Sequence, residues 1–253
     1  MALHRSTWPV AVAACALLAL PFVTGCSGDT VRPSRDTTPA APPSTPNTPD
    51  TPSSTVRSSN GQAADSAWPA EARDAVNVVD DFWRSHWNTY FTGTYRSPKV
   101  FGTYTPGTPQ APACNGEPAT PYNAFYCPSG DFIAWDGQLM RDGYARGDSW
   151  VYLVIAHEWG HAVQRRVLGL GVAAQELQAD CLAGATLFGS DKLQFEPGDT
   201  DELAGALTAL ADDTPWTNSQ DHGNAEQRVT AFSNGGRAGV RACLPARAAP
   251  DAP

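Results

Sequence analysis

The segment that most constrains the fold of this 253-residue chain runs from Trp150 to Val167, an apolar stretch that contains His157-Glu158-Trp159-Gly160-His161. Hydrophobic residues on nearly every side predict a helix buried in a folded domain. Positions four apart lie about one turn apart on one helix face, so His157 and His161 can converge on one ion. The alternative, an ordinary amphipathic helix with surface histidines, would leave three ionisable groups buried at a cost that a metal removes.

Three acidic residues complete the predicted metal site. The carboxylate of Glu158 is placed to act on a water that the metal activates rather than on the metal itself. A site of this type needs a third protein ligand, and zincins whose third ligand is glutamate take it from a following helix. The Ala- and Leu-rich segment 173–188 predicts that helix, with Glu176 as the ligand. Asp180 shares its face and could accept the ring N–H of a ligand histidine, although such acidic pairs are usually solvated.

Three other side chains are weighed for a role near this site. His222 precedes a predicted last helix, where it is either a hydrogen-bond donor to a developing oxyanion or a plain loop histidine. Arg228, on that last helix, is the second candidate for the same donor role. His86 lies in the apolar stripe of a helix predicted to begin near Trp68-Pro69, and we interpret it as structural.

The chain begins with a predicted export signal at residues 1–26. A short positive region precedes an apolar run from Val10 to Val23, which is too short for a typical membrane span. The run ends in Val23-Thr24-Gly25-Cys26, which resembles a bacterial lipobox and predicts lipid attachment at Cys26. A plain secretory signal and an uncleaved anchor are the alternatives. The prediction places the protein at the extracytoplasmic face of a bacterial cell membrane, held there by a lipid anchor.

Composition divides the rest of the chain. Residues 27–66 are rich in Pro, Thr and Ser and almost free of bulky apolar residues, which predicts a disordered tether. The folded domain is expected at 67–247, followed by a disordered tail at 248–253. A β-prone run at Asp131–Asp136 predicts a strand that could lie at the rim of the cleft and pair with an extended peptide. The alternative is an ordinary sheet strand, and both interpretations can hold at once.

Cysteine usage agrees with export. Once Cys15 and Cys26 are assigned to the signal and the lipid, Cys114, Cys127, Cys181 and Cys243 remain, an even set that predicts two disulfides. Of the three pairings we favour Cys114–Cys127 with Cys181–Cys243, since the first two cysteines flank one Gly/Pro-rich loop. Zinc ligation by these cysteines is the alternative, and no CxxC spacing supports it.

Net charge limits the partners. The formal charge is −9, and no basic patch occurs in the sequence. Nucleic acid is therefore not an expected partner, and surface charge would not hold the chain on an anionic membrane. The expected partners are a peptide or protein substrate and, through the lipid, the membrane.

Together the motifs resemble the neutral zinc metallopeptidase family of bacterial membrane-associated proteins, over roughly residues 70–244. The upstream motif departs from the family pattern at Gly130, where an acid is expected. The matching positions are Phe125-Tyr126-Cys127-Pro128 with Asp136, the block Ile155 to Gln164, the block Glu176 to Gly184, and His222-Gly223, Gln227-Arg228, Phe232, Gly235 and Cys243.

The resemblance implies an α+β, zincin-like fold that is mostly helical with a small sheet. It also implies one Zn²⁺ per chain at His157, His161 and Glu176, and Glu158 as the catalytic carboxylate. The expected activity is hydrolysis of peptide bonds, with the natural substrate unspecified. Two rival predictions are a lipid-anchored, zinc-containing binding or assembly factor without turnover, and a disulfide-stabilised exported module without metal.

Overall fold

The computed structural model describes residues 59–171, 174–213 and 221–245, with side chains from residue 67. Helices predominate in this part of the chain and are joined by a small sheet, which confirms the α+β prediction in its coarse form. No helix within the described ranges combines the length and apolar character needed to cross a bilayer. The elements are α1 (Ser59–Tyr90), β1 (Lys99–Tyr104), β2 (Ala113–Cys114), β3 (Glu117–Pro118), β4 (Ala124–Cys127), β5 (Phe132–Asp136), α2 (Gly137–Tyr144), α3 (Ser149–Arg166), α4 (Gln175–Gly189), α5 (Asp199–Ala209), α6 (Ala225–Ala238) and a 3-10 turn (Val240–Cys243).

Helix α1 begins earlier than the sequence predicts. Its first residue is Ser59, so the predicted tether is wrong over 59–66, where the backbone is helical, and Pro69 lies inside the helix. Alanines on both sides of Pro69 favour a helix strongly enough to continue it across the proline. The ring of His86 stacks on Phe82 with centroids 4.5 Å apart, which agrees with its structural interpretation. The signal with Cys26, the tether up to residue 58 and the tail 248–253 lie outside the described residues.

The strand predicted at Asp131–Asp136 exists, but its predicted place at the cleft rim is wrong. Strand β5 is the centre of a three-stranded sheet in the order β1-β5-β4, parallel to β1 and antiparallel to β4. Ile133 and Ala134 are fully buried on its two faces. Because β5 lies between β1 and β4, its backbone already pairs with two neighbours and has no open edge for a peptide. The edge beside the cleft belongs to β4.

A small hairpin and a disulfide hold the region before β4. Strands β2 and β3 are antiparallel, and the turn between them is Asn115-Gly116, with φ of 53° and 89°. Asn-Gly between two extended segments is a strong hairpin signal that our sequence analysis did not use. Cys114 in this hairpin is bonded to Cys127 at the end of β4, as predicted.

Helix α4 lies between α3 and α6 at very short distances. A Cβ on Gly160 of α3 would lie 3.0 Å from the backbone of Ala179, and one on Gly235 of α6 would lie 1.8 Å from the carbonyl oxygen of Cys181. Glycine is therefore required where α6 meets α4, since any side chain would overlap the backbone. The second predicted disulfide, Cys181–Cys243, is also confirmed and ties α4 to the C-terminal 3-10 turn.

Candidate metal centre

Helix α3 forms the floor of the site, and α4 supplies the opposing wall. Val151, Ile155 and Val163 of α3 are fully buried, so hydrophobic burial holds this helix in the core. The close contact between Gly160 and Ala179 brings the start of α4 against the histidine face of α3. Glu176 and Asp180 therefore reach His157 and His161, although 15 to 23 residues separate them along the chain.

Three potential ligand atoms converge as predicted. His157 Nε2 lies 3.1 Å from Glu176 Oε2, His161 Nε2 lies 3.2 Å from the same oxygen, and the two Nε2 atoms are 3.2 Å apart. Ligands about 2.0–2.1 Å from a tetrahedral zinc ion are separated by about 3.3 Å. The triangle therefore has the size that zinc requires, and it offers two nitrogens and one oxygen.

The tautomers of both histidines also suit a cation. His157 Nδ1–H donates to Asp180 Oδ1 at 2.8 Å, the contact predicted for Asp180. His161 Nδ1–H donates to Gln164 Oε1 at 2.9 Å, while Gln164 Nε2 donates to the carbonyl oxygen of Gln175 and so sets the orientation of the amide. With both protons on Nδ1, each Nε2 directs a lone pair at the same point.

Gln164 was not singled out for a role in the sequence analysis. The signal that could have found it is its spacing, three residues after His161 on the same helix. This spacing places its side chain beside the ring of His161, within hydrogen-bond reach of Nδ1.

Arg228 has a different role from the oxyanion donor weighed above. Its Nε and Nη2 donate to the two carboxylate oxygens of Asp180, each at 2.8 Å, and its Nη1 donates to the carbonyl oxygen of Leu210 at 2.6 Å. Asp180 is 0% and Arg228 is 3% exposed. Because each guanidinium nitrogen already donates to a protein oxygen, Arg228 serves to orient Asp180, which in turn orients His157.

Charge is unbalanced at the centre of the site. Burial alone would lower the pKa of His157, but Asp180, Glu176 and Glu158 raise this pKa to about 10. Burial would raise the pKa of Glu176, but in the metal-free site the two imidazole rings, when protonated at the Nε2 atoms that face it, hold this pKa far below its usual range. With neutral histidines, three carboxylates face a single guanidinium, a deficit of two positive charges. A divalent cation removes that deficit.

Glu158 occupies a different position from the other acids. Its side chain is 7% exposed and lines the cleft beside His157 and His161. Within the described residues it forms no hydrogen bond or ion pair, whereas Glu176 and Asp180 are both held by partners. A carboxylate in a cleft that no protein group holds is available to a bound water or substrate.

His222 lines the same cleft, close to Glu176. Its Nε2 is 3.8 Å from Glu176 Oε2, and its side chain is 50% exposed. Asp212 accepts the backbone N–H of His222 at 2.6 Å and lies 3.6 Å from its Nδ1. The sequence analysis assigned no role to Asp212, which holds His222 in place. The geometry agrees with a donor at the mouth of the site rather than with a buried ligand.

The cleft itself measures about 780 Å³. Strand β4 borders one side, and α3 with the segment 167–171 forms the other. Asp136 N donates to the carbonyl oxygen of Asn123, so the alternation of an antiparallel pair directs the backbone of Ala124 and Tyr126 to the open edge. That edge can pair with an extended chain.

Comparison of the sequence with models of known families and with curated proteins, and of the fold with solved structures, finds no match.

Proposed function

We propose that the protein is a zinc-dependent peptidase of the zincin type. The observation that carries the proposal is the convergence of three ligand atoms 3.1–3.2 Å apart, with an oxygen acceptor beside Nδ1 of each histidine, so that neutral rings would turn their Nε2 lone pairs toward the common point. Two nitrogens and one carboxylate oxygen are a common ligand set of catalytic zinc. The resemblance of the motifs to neutral zinc metallopeptidases supports the same activity.

The roles of the residues follow from their positions. When bound, zinc would polarise the scissile carbonyl and lower the pKa of a water molecule toward about 7. Glu158 takes a proton from the attacking water and later passes it to the leaving amine nitrogen. His222 donates a hydrogen bond to the oxyanion from the cleft mouth. Arg228 is excluded from that role because its guanidinium already holds Asp180.

Strand β4 supports an extended polypeptide as the substrate. Its open edge runs along the cleft that contains Glu158 and the two histidines. Main-chain pairing with such an edge gives affinity that does not depend on side-chain identity. Strand β4, rather than β5, is therefore the strand that we propose to pair with the peptide.

The expected location is outside the cytoplasmic membrane. Two disulfides are typical of proteins that mature in an oxidising compartment. The lipobox-like sequence at Cys26 supports attachment to a lipid.

The decisive experiment replaces Glu158 with Gln. Elemental analysis of purified, zinc-loaded Glu158→Gln should find about one zinc per chain. Its rate of hydrolysis of unfolded polypeptides should be lower than that of wild type by about 10²- to 10⁴-fold. Glu226→Gln makes the same chemical change at an exposed position of α6 and should leave activity unaltered. An equally active Glu158→Gln variant would refute the mechanism, and a zinc-loaded wild type without any activity would favour the binding-factor alternative.

A further inference from the structure

Two neighbouring arginines at the end of α3 differ in what they contact. Arg166 donates two hydrogen bonds to Asp131 at 2.7 and 2.9 Å and another to the carbonyl oxygen of Arg96. Arg165 is exposed, lines the cleft, and forms no hydrogen bond or ion pair within the described ranges. Arg166 therefore supports the fold, and Arg165 directs an unpaired cation at the substrate side of the protein.

The position of Arg165 along the helix relates it to the proposed metal site. Residues 157, 161 and 165 follow one another at intervals of one turn on the same face of α3. Arg165 therefore lies about 6 Å beyond His161 along the helix axis. An extended peptide advances about 3.3 Å per residue, so Arg165 can reach a side chain two or three residues away from the scissile bond.

The direction of β4 determines whether that side chain precedes or follows the scissile bond in the peptide. Asn123, at the start of β4, borders a recess shared with Glu158 and His222, while the hydroxyl of Tyr126, near its end, lies 3.5 Å from Arg166 Nη1. Strand β4 therefore runs in the same direction as α3. A peptide that pairs antiparallel to β4, the more stable arrangement, has its N-terminal part beside Arg165.

Among the described residues that line the cleft, none is a competing acid at that end, and Asp131, close to Tyr126, is already paired with Arg166. The acidic lining residues are Glu158 and Glu176, and both belong to the proposed catalytic centre. A carboxylate on the peptide would thus meet the guanidinium of Arg165 without a neighbouring negative charge from the cleft wall. Guanidinium and carboxylate match in charge and in planar hydrogen-bonding geometry.

We propose that Arg165 selects polypeptide substrates that carry Asp or Glu two or three residues before the cleaved bond. This inference rests on the proposed peptidase activity and adds a substrate class to it. Arg165 acts as a specificity residue and takes no part in metal binding.

The first test maps cleavage sites in an unbiased peptide mixture by mass spectrometry. Wild type should show about a 2- to 5-fold enrichment of Asp and Glu at those positions, the range expected for an exposed ion pair. Arg165→Gln should remove the enrichment, and Arg165→Lys should retain part of it. Arg237→Gln makes the same charge change at an exposed position of α6 away from the cleft and should leave the enrichment intact.

The second test measures binding without turnover. In the Glu158→Gln background, a labelled peptide with Glu at the selected position should bind about 2- to 5-fold more tightly than its Gln counterpart. The difference should vanish when Arg165→Gln is added, and it should shrink in about 0.5 M salt. Bound zinc should be the same with and without Arg165.

The outcomes separate the two proposals. An active wild type without acidic enrichment overturns the role of Arg165 and leaves the peptidase activity standing. The peptides are also compared with their C-terminally amidated forms. If amidation removes the enrichment, it depended on the free C-terminal carboxylate, and both the antiparallel orientation and this inference are wrong. A wild type that cleaves nothing overturns the proposed function and therefore also this inference.

Discussion

The buried helical part of the cleft and its exposed rim are built in different ways. On the helical side, Asp180 and Arg228 are buried and bonded to each other, and α4 touches its neighbours through glycines. On the rim, which includes the exposed end of α3, His222 is 50% exposed, Leu168 is 100% exposed, and Arg165 is exposed as well. The comparison indicates that groups which set ligand geometry are cross-linked inside the protein, whereas groups which would meet a substrate remain accessible to solvent.

The same kind of substitution is expected to lower the free energy of unfolding more on the buried helical side than on the exposed rim. A buried charge that loses its partner keeps its desolvation penalty, while an exposed charge is simply hydrated. We therefore expect substitutions on the helical side to alter both the stability of the fold and metal affinity. Substitutions of exposed side chains on the rim should alter turnover or specificity with little effect on stability or metal affinity.

The largest effect is expected for Arg228→Met. It leaves the carboxylate of Asp180, which is 0% exposed, without its guanidinium and should lower the free energy of unfolding by about 3–5 kcal/mol. Urea unfolding measures the loss. The matched variant Arg165→Met on the rim should change stability by less than about 0.5 kcal/mol.

Metal binding provides a second measurement for the same pair of variants. Because Asp180 orients His157, Arg228→Met should weaken zinc binding by about 10- to 100-fold in a competition with a chelator. Arg165→Met should bind zinc as wild type does. Equal losses in the two variants would contradict the difference between the helical side and the rim.

The next comparison is between variants that lack one disulfide each. Replacing Cys181 and Cys243 by alanine opens a loop of 62 residues and should destabilise the protein by about 4 kcal/mol in the chain-entropy view. Replacing Cys114 and Cys127 opens a loop of 13 residues and should cost about 3 kcal/mol. Thermal unfolding gives the stabilities. A chelator competition should show reduced zinc affinity for the first pair only, since Cys181 lies next to Asp180.

A smaller effect is expected for His222→Ala. It removes a donor at the cleft mouth and should lower kcat by about 10- to 100-fold, less than the loss of a fully buried oxyanion donor. The side chain is half exposed, so bound zinc and the unfolding temperature should stay as in wild type. His222→Gln retains an N–H donor and should recover part of the activity. A drop in zinc content in either variant would instead make His222 a ligand.

The smallest effect is expected for Leu168→Ser, at the exposed tip of the segment that borders the cleft. No apolar burial is lost, so the free energy of unfolding should change by less than about 0.5 kcal/mol. Any effect should be on KM for peptide substrates rather than on kcat. A loss of zinc or stability would mean that the rim is more strongly coupled to the helices than its exposure suggests.

Local patterns predicted much of the helical side. The i, i+4 spacing of His157 and His161 and the apolar run around them defined the buried helix, and Glu176 and Asp180 were found from their shared face on the next helix. The even cysteine count and the loop between Cys114 and Cys127 led to the correct disulfides. These signals are readable because helix geometry and chain connectivity are local properties of the sequence.

The rim depended on pairings that no local pattern contains. The sequence placed β5 beside the peptide, yet β4 takes the edge because β5 lies between β1 and β4. The start of α1 was predicted too late for a local reason, because the helix-breaking effect of Pro69 was given more weight than the alanines before it.

What the sequence by itself determined is therefore the set of chemical groups: two histidines, the carboxylates of Glu158 and Glu176, and the cysteines that join. Only the tertiary structure decided which groups each of them meets. It assigned Arg228 to Asp180 rather than to the cleft, brought Gln164 to His161, and placed Arg165 beside a strand edge with no partner among the described residues. The physical reason is that hydrogen-bond partners and exposure depend on how helices and strands pack, which is a property of the whole domain.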